Sequence, residues 1–363
     1  MTQLHVLVNA INDNAISRGP DRYLLELLPN LLTADPDLRI TLAHAPWQAA
    51  MAGSDLGPRV QRLCLDPPRK PAARLVWQAL RFPRIANRLR PDLTFLPNLI
   101  WTPGLRGPSV MTAHDMLHFR HPEKFGIWKS RLLRHVIRRA IRRSDAVIAV
   151  SAFTAADVLQ FGGADEFRIV TIPEGGPPRE NRTGAPEKTF LFVGKLERTK
   201  GITDLVQAFW RSEALAKAGY RLLIAGPDGN ASEDVRRAML GTNDRIQRLG
   251  FVDDAALRSL YLTCRGFVFP SIAEGFGLVL LEAMARGAPV IAADATSLPE
   301  VVGDAGLLVP AADIAALTAV LERLAFDDAL FAALQAAGYA RLAHFDWGKA
   351  GAATAAVLRR VVA

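Results

Sequence analysis

The sequence predicts an α/β protein made of two doubly wound parallel-sheet domains, and three observations carry that reading. Apolar runs of strand length alternate with helical patterns throughout the chain, as expected when βα units stack into parallel sheets. At 363 residues the chain is long for one core and suits two domains. A Pro/Gly-rich stretch, from Pro173-Glu-Gly-Gly-Pro-Pro178 through Gly184-Ala-Pro186, divides the series and reads as the linker. The expected domains are therefore 1–180 and 185–344, with a last helix over 345–363.

Strands of the first domain are expected at His5–Val8, Arg39–Ala43, Val60–Leu63, Leu93–Leu96, Ser109–Thr112, Ala146–Val150 and Ile169–Ile172. The first is followed by a polar loop, Asn9 to Tyr23, ending Ser17-Arg-Gly19-Pro-Asp21-Arg22-Tyr23. Leu24, Leu27, Leu28 and Leu31 then begin a helical pattern. A loop that ends at a helix N-terminus on the C-terminal edge of a sheet is a common ligand position. Thr112-Ala-His114-Asp115 closes another strand and offers a histidine at the same edge.

Two segments of this half are basic and amphipathic. Residues 67–90 interleave arginines with Trp77, Leu80, Phe82 and Ile85, a face suited to an anionic membrane interface or, equally, to a packed helix with its arginines in water. Residues 129–143 carry Lys129 and six arginines, with Leu132, Leu133, Val136, Ile137, Ala140 and Ile141 expected on the packed side.

Strands of the second domain are expected at Phe190–Val193, Arg221–Ala225, Ile246–Leu249, Gly266–Phe269, Val290–Ala292 and Leu307–Val309. After the first comes Gly194-Lys195-Leu-Glu-Arg-Thr-Lys200-Gly201, two cations above a helix start. Such a pair can clamp a diphosphate as charge accumulates on a departing nucleotide. After Gly266–Phe269 comes Pro270-Ser-Ile-Ala-Glu274-Gly-Phe-Gly277-Leu-Val-Leu-Leu-Glu282. Gly275 and Gly277 leave the backbone uncovered where a helix begins, so its N–H groups and positive dipole end can face oxygens. With Glu274 and Glu282 this suits a polyhydroxyl, phosphate-bearing ligand; a tight turn followed by a solvated helix residue is the alternative.

The run E-G-F-G-L followed by L-E-A-M-A-x-G-x-P-V-I-A, and then Ser297-Leu-Pro-Glu300-Val-Val-Gly303-Asp-Ala-Gly306, resembles the E-x7-E donor site of retaining GT-B glycosyltransferases of family 4. That resemblance implies two Rossmann-like domains facing across a cleft, with the last helix crossing back to the first. It implies that Glu282 holds ribose hydroxyls, and that Glu274 with Gly275, Phe276, Gly277 and Leu278 holds the sugar. Lys195 and Lys200 would stabilise the leaving diphosphate without a metal or other cofactor, Lys195 standing where arginine is commoner. His114 would reach the sugar from the other domain, Gly19 would lie by the diphosphate or acceptor, and Gly194, Gly226 and Val252 would line the donor pocket.

The implied reaction moves a sugar from a nucleotide-diphosphate donor to a hydroxyl of a glycan or polyprenyl-diphosphate-linked acceptor. GDP-mannose is the expected donor, a UDP-sugar the alternative, and polysaccharide or lipopolysaccharide synthesis the setting. A nucleotide-sugar 2-epimerase of the same fold, or a non-catalytic lipid- or nucleic-acid-binding protein, remains as another class.

Composition bounds the rest. Half the residues are apolar and 22% are charged, which fits a folded chain, and no run is long enough to span a bilayer or reads as a signal peptide. Residues 1–184 hold 25 Lys/Arg against 16 Asp/Glu, a surplus of nine, so the net +8 belongs to the first half. This predicts a cytoplasmic protein in peripheral contact with the anionic inner face of the cytoplasmic membrane; no nucleic-acid motif accompanies the charge. Cys64 and Cys264 lack metal-ligand spacing and are expected as buried small hydrophobes.

Overall fold

The computed structural model describes residues 2–12, 19–100, 102–122, 126–241 and 243–363. It contains β1 (Leu4–Asn9), β2 (Leu38–His44), β3 (Val60–Cys64), β4 (Leu93–Leu96), β5 (Ser109–Ala113), β6 (Ala146–Ala149), β7 (Ile169–Thr171), β8 (Thr189–Val193), β9 (Arg221–Ala225), β10 (Ile246–Gly250), β11 (Gly266–Phe269), β12 (Val290–Ala293) and β13 (Gly306–Val309). Every strand expected from the sequence is present, with ends shifted by a residue or two. The signal is strong because most of these strands are buried on both faces and therefore read as unbroken apolar runs.

One sheet runs β3-β2-β1-β4-β5-β6-β7 and the other β10-β9-β8-β11-β12-β13. Every described pairing is parallel. Each sheet grows outward from its first strand and then resumes on that strand's other side, between β1 and β4 and between β8 and β11. That reversal leaves a crevice at the C-terminal strand ends where ligands of doubly wound sheets bind.

The chain forms two compact units, Met1–Gly175 with Asp346–Ala363, and Gly176–Phe345. In the first, the helix Pro20–Ala34 buries Leu24, Leu27, Leu28 and Leu31 against Val6, Val8, Ile40 and Leu42. The helix Trp347–Val362 packs along it with Ala350, Ala355 and Leu358. A side chain on Gly351 would come within 2.6 Å of the Asn30 backbone, so glycine sets how closely these two helices approach. Arg359 adds a two-pronged ion pair to Asp35, at 2.7 and 2.9 Å.

In the second unit Phe190, Phe192, Phe209, Phe267 and Phe269 fill the space around β8 and β11. Each contributes about 1.5–3 kcal/mol through burial. Phe269 stacks on Phe192 and on Phe267, with ring centres about 6 Å apart (6.1 and 6.0 Å), so the floor beneath the crevice is rigid aromatic packing.

Two expectations need correction. Cys64 is exposed, because β3 is an edge strand, whereas Cys264 is buried and its thiol is pushed up to about 12 by loss of solvent. Leu132 of the helix Ile127–Arg143 is 64% exposed, and only Ile137, Ala140 and Ile141 of its expected apolar side are fully buried. The boundary between the two units, at Gly175 and Gly176, falls within the Pro/Gly-rich stretch. Beyond Gly176 it lies along the second unit, held by Arg179 over the Tyr339 ring (4.0 Å), by the Glu180 amide on the Ala285 carbonyl (2.7 Å) and by Arg182 on the Gly287 carbonyl (3.2 Å).

Candidate functional site at the strand switch points

In the second unit the loops after β8 and β11 meet at the switch point. The first runs from Gly194 to Gly201 and starts the helix Ile202–Arg211; the second runs from Pro270 to Gly277 and starts the helix Leu278–Ala285. Both helices have a glycine in the left-handed region as N-cap, Gly201 at φ 64° and Gly277 at φ 111°, and neither has a side-chain cap. Two positive dipole ends therefore open onto one crevice.

The loops are stitched together. The Ile272 amide donates to the Thr199 carbonyl at 2.9 Å, and Ser271 Oγ donates to the same carbonyl at 3.1 Å. A side chain on Gly201 would lie 2.1 Å from the Pro270 carbonyl oxygen, so this close approach is open to glycine alone. Likewise a side chain on Gly226, after β9, would lie 2.0 Å from the carbonyl oxygen of Gly194.

Lys200 Nζ bonds Glu274 Oε1 at 2.5 Å and lies 5.4 Å from the centre of the Phe269 ring. The sequence separates these two residues by 74 positions and assigns them different tasks; the fold makes them one ion pair. Lys195 is half-exposed and pairs with Glu197 at 3.3 Å. Glu282 is only 6% exposed, one turn inside its helix, and accepts from the buried Tyr261 hydroxyl at 3.3 Å. Burial, with the Glu282 carboxylate beside it, raises the Tyr261 hydroxyl well above the ordinary tyrosine range, so it remains a donor.

Phe276 is buried and meets Phe345 edge to face at 5.7 Å, while Gly275 is buried and Leu278 half-buried. Val252 is half-buried in the loop after β10, beside Asp253, which caps the next helix through the Ala256 amide at 2.8 Å. The loop after β12 closes the group: the Glu274 amide donates to Thr296 Oγ1 at 3.2 Å. Ser297 Oγ lies 3.1 Å from the Glu274 carbonyl and 3.0 Å from that of Phe276.

The switch point of the first unit is made of different material. Gln48 Nε2 donates to the Ala10 carbonyl and to Asp21, Asn9 Nδ2 donates to Gln78 Oε1, and Gln78 Nε2 donates to the Ile11 carbonyl. Burial raises the Asp21 carboxyl, against hydrogen bonds from Asn12 and Gln48 that lower it. Gly19, at φ 57°, is the exposed N-cap of Pro20–Ala34; Ser17 and most of the loop before it lie outside the described residues, as does the side chain of Lys129.

His114 follows β5, with Nδ1 3.1 Å from Glu174 Oε1 and Nε2 3.0 Å from the Pro97 carbonyl. Tyr23 stands edge-on to the ring at 4.8 Å. Both ring nitrogens are engaged by acceptors, so a contact with a sugar hydroxyl requires that one of these bonds be exchanged for the ligand.

Sequence reasoning missed Tyr261, Thr296, Glu174, Gln48 and Gln78. The last three are polar residues in otherwise apolar or small-residue surroundings, a usable signal. Tyr261 and Thr296 carry none, because only the fold brings them to their partners. Among the described residues no group of three or more His, Cys, Asp or Glu could hold a metal ion.

With this geometry in hand, known proteins can be compared. Residues 187–327 match the family model "Glycosyl transferases group 1" and residues 17–178 the model "Glycosyltransferase Family 4". The chain is similar to O-antigen chain mannosyltransferase B of Escherichia coli, 29% identical over 91% of this chain and 92% of that one. Among solved structures, sucrose-phosphate synthase from Thermosynechococcus elongatus superposes with a TM-score of 0.78 at 21% identity, covering 98% of each chain. Anabaena HepE in complex with UDP and glucose superposes at 0.76 and 19% identity, covering 98% of this chain and 99% of that one.

Proposed function

The chain belongs to the GT-B glycosyltransferases of the family 4 and group 1 type, and on that premise we propose that it transfers mannose from GDP-mannose, with retention, to a hydroxyl of a glycan or lipid-linked glycan acceptor in polysaccharide or lipopolysaccharide synthesis. The observation that carries the site is the Lys200–Glu274 pair between two helix N-termini that no side chain caps. The mannosyl and O-antigen terms are supported by the Escherichia coli relative, which this chain matches along nearly its whole length.

In this reading the diphosphate lies over the two helix starts, with Lys200 and Lys195 taking up charge as the C1–O bond to the β-phosphate breaks. Glu274, released from full pairing with Lys200, accepts from sugar hydroxyls. Glu282, kept oriented by Tyr261, accepts from the ribose. The acceptor oxygen bonds to C1 from the face the diphosphate leaves, and its proton passes to a diphosphate oxygen. No metal is assigned a step. His114 is proposed as a further sugar contact.

The deciding test is a thermal-shift panel of UDP, GDP and ADP, followed by nucleoside diphosphate release from the matching nucleotide sugar. The product that binds the folded state raises its melting temperature, by linkage. A shift with UDP and none with GDP would replace mannose in this proposal, and no release with any donor and acceptor would end it. Epimerisation of the sugar without release would support the epimerase reading instead.

We also propose peripheral contact with an anionic membrane on its cytoplasmic face, favoured by one helix. Pro71–Leu80 is turned inside out: Arg74 and Gln78 are 4% and 3% exposed, while Leu75, Val76 and Leu80 are 47%, 57% and 54% exposed. Lys70, Arg81 and Arg84 flank that apolar strip and are exposed. An apolar strip rimmed by cations fits the interface of an anionic leaflet. Sedimentation with phosphatidylglycerol vesicles should exceed that with phosphatidylcholine vesicles and fall in a Leu75→Ser, Val76→Ser, Leu80→Ser variant; equal sedimentation throughout would remove the contact.

A further inference from the structure

Among the described residues three other than glycine have positive φ: Arg90 at 48°, Thr296 at 54° and Ala312 at 61°. Arg90 ends the helix Phe82–Leu89, where one left-handed residue is an ordinary terminator, and Ala312 is a small residue in an exposed turn before the helix Ile314–Phe326. Thr296 differs in kind. It is β-branched, for which this backbone region is a true outlier, and it is half-buried in the loop after β12.

What holds it there is specific. Thr296 Oγ1 accepts the Glu274 amide at 3.2 Å, and the next residue, Ser297, lies under the Glu274 carbonyl at 3.1 Å. Both backbone polar groups of Glu274 are therefore met by consecutive side chains of one loop, while its carboxylate is met by Lys200 from another. A relaxed, right-handed backbone at 296 would swing the hydroxyl off the amide. Strain of this kind persists only where the surroundings over-determine it.

We propose that Thr296 is a positioning residue for Glu274: its left-handed backbone aims the hydroxyl at the Glu274 amide and so fixes the loop that presents the Glu274 carboxylate. The role of Glu274 as a sugar contact is that of the preceding proposal, and the consequence for turnover rests on it. The hydrogen bond and its strain do not.

The test uses the full chain with Thr296→Gly, which removes both strain and hydroxyl, and Thr296→Ser, which keeps the hydroxyl and lessens the branching. In Thr296→Gly the melting temperature should move by no more than about 4 °C, because the strain relieved and the hydrogen bond lost are of similar size and oppose each other. Hydrogen exchange at the Glu274 amide, followed on the 270–278 segment, should quicken by roughly tenfold or more as its acceptor is lost. Turnover of GDP-mannose should fall about 3- to 10-fold, the worth of one neutral hydrogen bond, with KM little changed. Thr296→Ser should recover the slow exchange and most of the turnover.

A residue that matters for stability alone would not give a variant that exchanges faster at Glu274 and turns over more slowly while its melting temperature barely moves. Unchanged exchange at Glu274 in Thr296→Gly, or a serine variant as impaired as the glycine one, overturns the proposal. So does full turnover alongside fast exchange. If the native protein releases no nucleoside diphosphate from GDP-mannose or UDP-glucose, the functional reading falls, and the exchange rates still decide whether Thr296 holds Glu274.

Discussion

The two switch points share a topology and differ in substance. The one in the second unit is built of charge and bare backbone, with Lys195, Lys200, Glu274 and two glycine-started helices. The one in the first unit is built of amides and a histidine whose polar atoms are satisfied within the protein, as between Asn9 and Gln78 or His114 and Glu174. A doubly wound sheet provides the place; the side chains and bare backbone that stand there decide what chemistry it suits. The second unit brings lysines, carboxylates and two uncapped helix starts together, while the first brings amides, Asp21 and a histidine–glutamate pair.

The sharpest way to break this contrast is to remove the charge. Lys200→Ala should lower turnover about 100- to 1,000-fold, the usual effect of deleting one group that stabilises transition-state charge, and cost about 1–2 kcal/mol of stability because the largely buried Glu274 carboxylate loses its cation. Gln78→Ala in the first unit should cost stability and leave turnover nearly unchanged. It leaves the buried Asn9 amide and Ile11 carbonyl without a partner, which costs about 1–3 kcal/mol of stability, and it removes no charge. Nucleoside diphosphate release and denaturant unfolding of both variants separate the outcomes; equal losses of turnover would erase the distinction.

The difference also explains how much could be read in advance. The strands and the doubly wound order were open to view because buried parallel strands are continuous apolar runs. The loops after β8 and β11 were open too, because their glycines, lysines and glutamates stand within a few residues of a strand end. What stayed hidden depends on partners far apart in the chain. Glu282 meets Tyr261 across 21 positions and His114 meets Glu174 across 60, and no local pattern marks either pair. The inverted helix Pro71–Leu80 was hidden for a related reason. Its periodicity shows an amphipathic segment, but the partners that hold Gln78 inward, Asn9 and the Ile11 carbonyl, lie far away in the chain.

Glycine gives the next comparison. Gly201 and Gly19 both cap a helix with positive φ, 64° and 57°, but a side chain on Gly201 meets the Pro270 carbonyl whereas one on Gly19 meets nothing within 4 Å. Gly201→Ala should therefore cost about 3 kcal/mol, from backbone strain plus displacement of the Pro270 loop, and Gly19→Ala only about 1 kcal/mol from strain alone. Urea unfolding of the two variants reads both values. A Gly201→Ala no worse than Gly19→Ala would mean that the two loops of the second switch point are not locked together.

Ion pairs sharpen the comparison at the level of whole units. The Asp35 side chain, paired with Arg359 between the ends of the first unit, is 8% exposed; the Asp328 side chain, paired with Arg265 in the second, is 92% exposed. Asp35→Asn should cost about 2 kcal/mol and Asp328→Asn about 0.5 kcal/mol. The Arg359 hydrogen bond holds the Asp35 carboxyl below its ordinary value. Because the native value is the lower one, the stabilisation is complete above the unfolded aspartate value of about 3.9 and is lost as pH falls through the native one. The gap between wild type and Asp35→Asn should accordingly be flat near neutrality and close in acid; a gap independent of pH would mean that the pair does not act through charge.

The smallest expected effect isolates the charge difference most cleanly. Each unit buries a tyrosine whose hydroxyl lies 3.3 Å from its partner: Thr112 for Tyr23, and the Glu282 carboxylate for Tyr261. At that length both bonds are weaker than an ideal hydroxyl contact. A bond to a charged acceptor is still worth more than one to a neutral hydroxyl, so Tyr261→Phe should cost about 1 kcal/mol and Tyr23→Phe about 0.5 kcal/mol. The larger cost belongs to Tyr261, because losing its hydroxyl leaves the buried Glu282 carboxylate one donor short. Only Tyr261→Phe should then raise the donor KM, and a rise of equal size in Tyr23→Phe would show that the effect does not depend on the Glu282 contact.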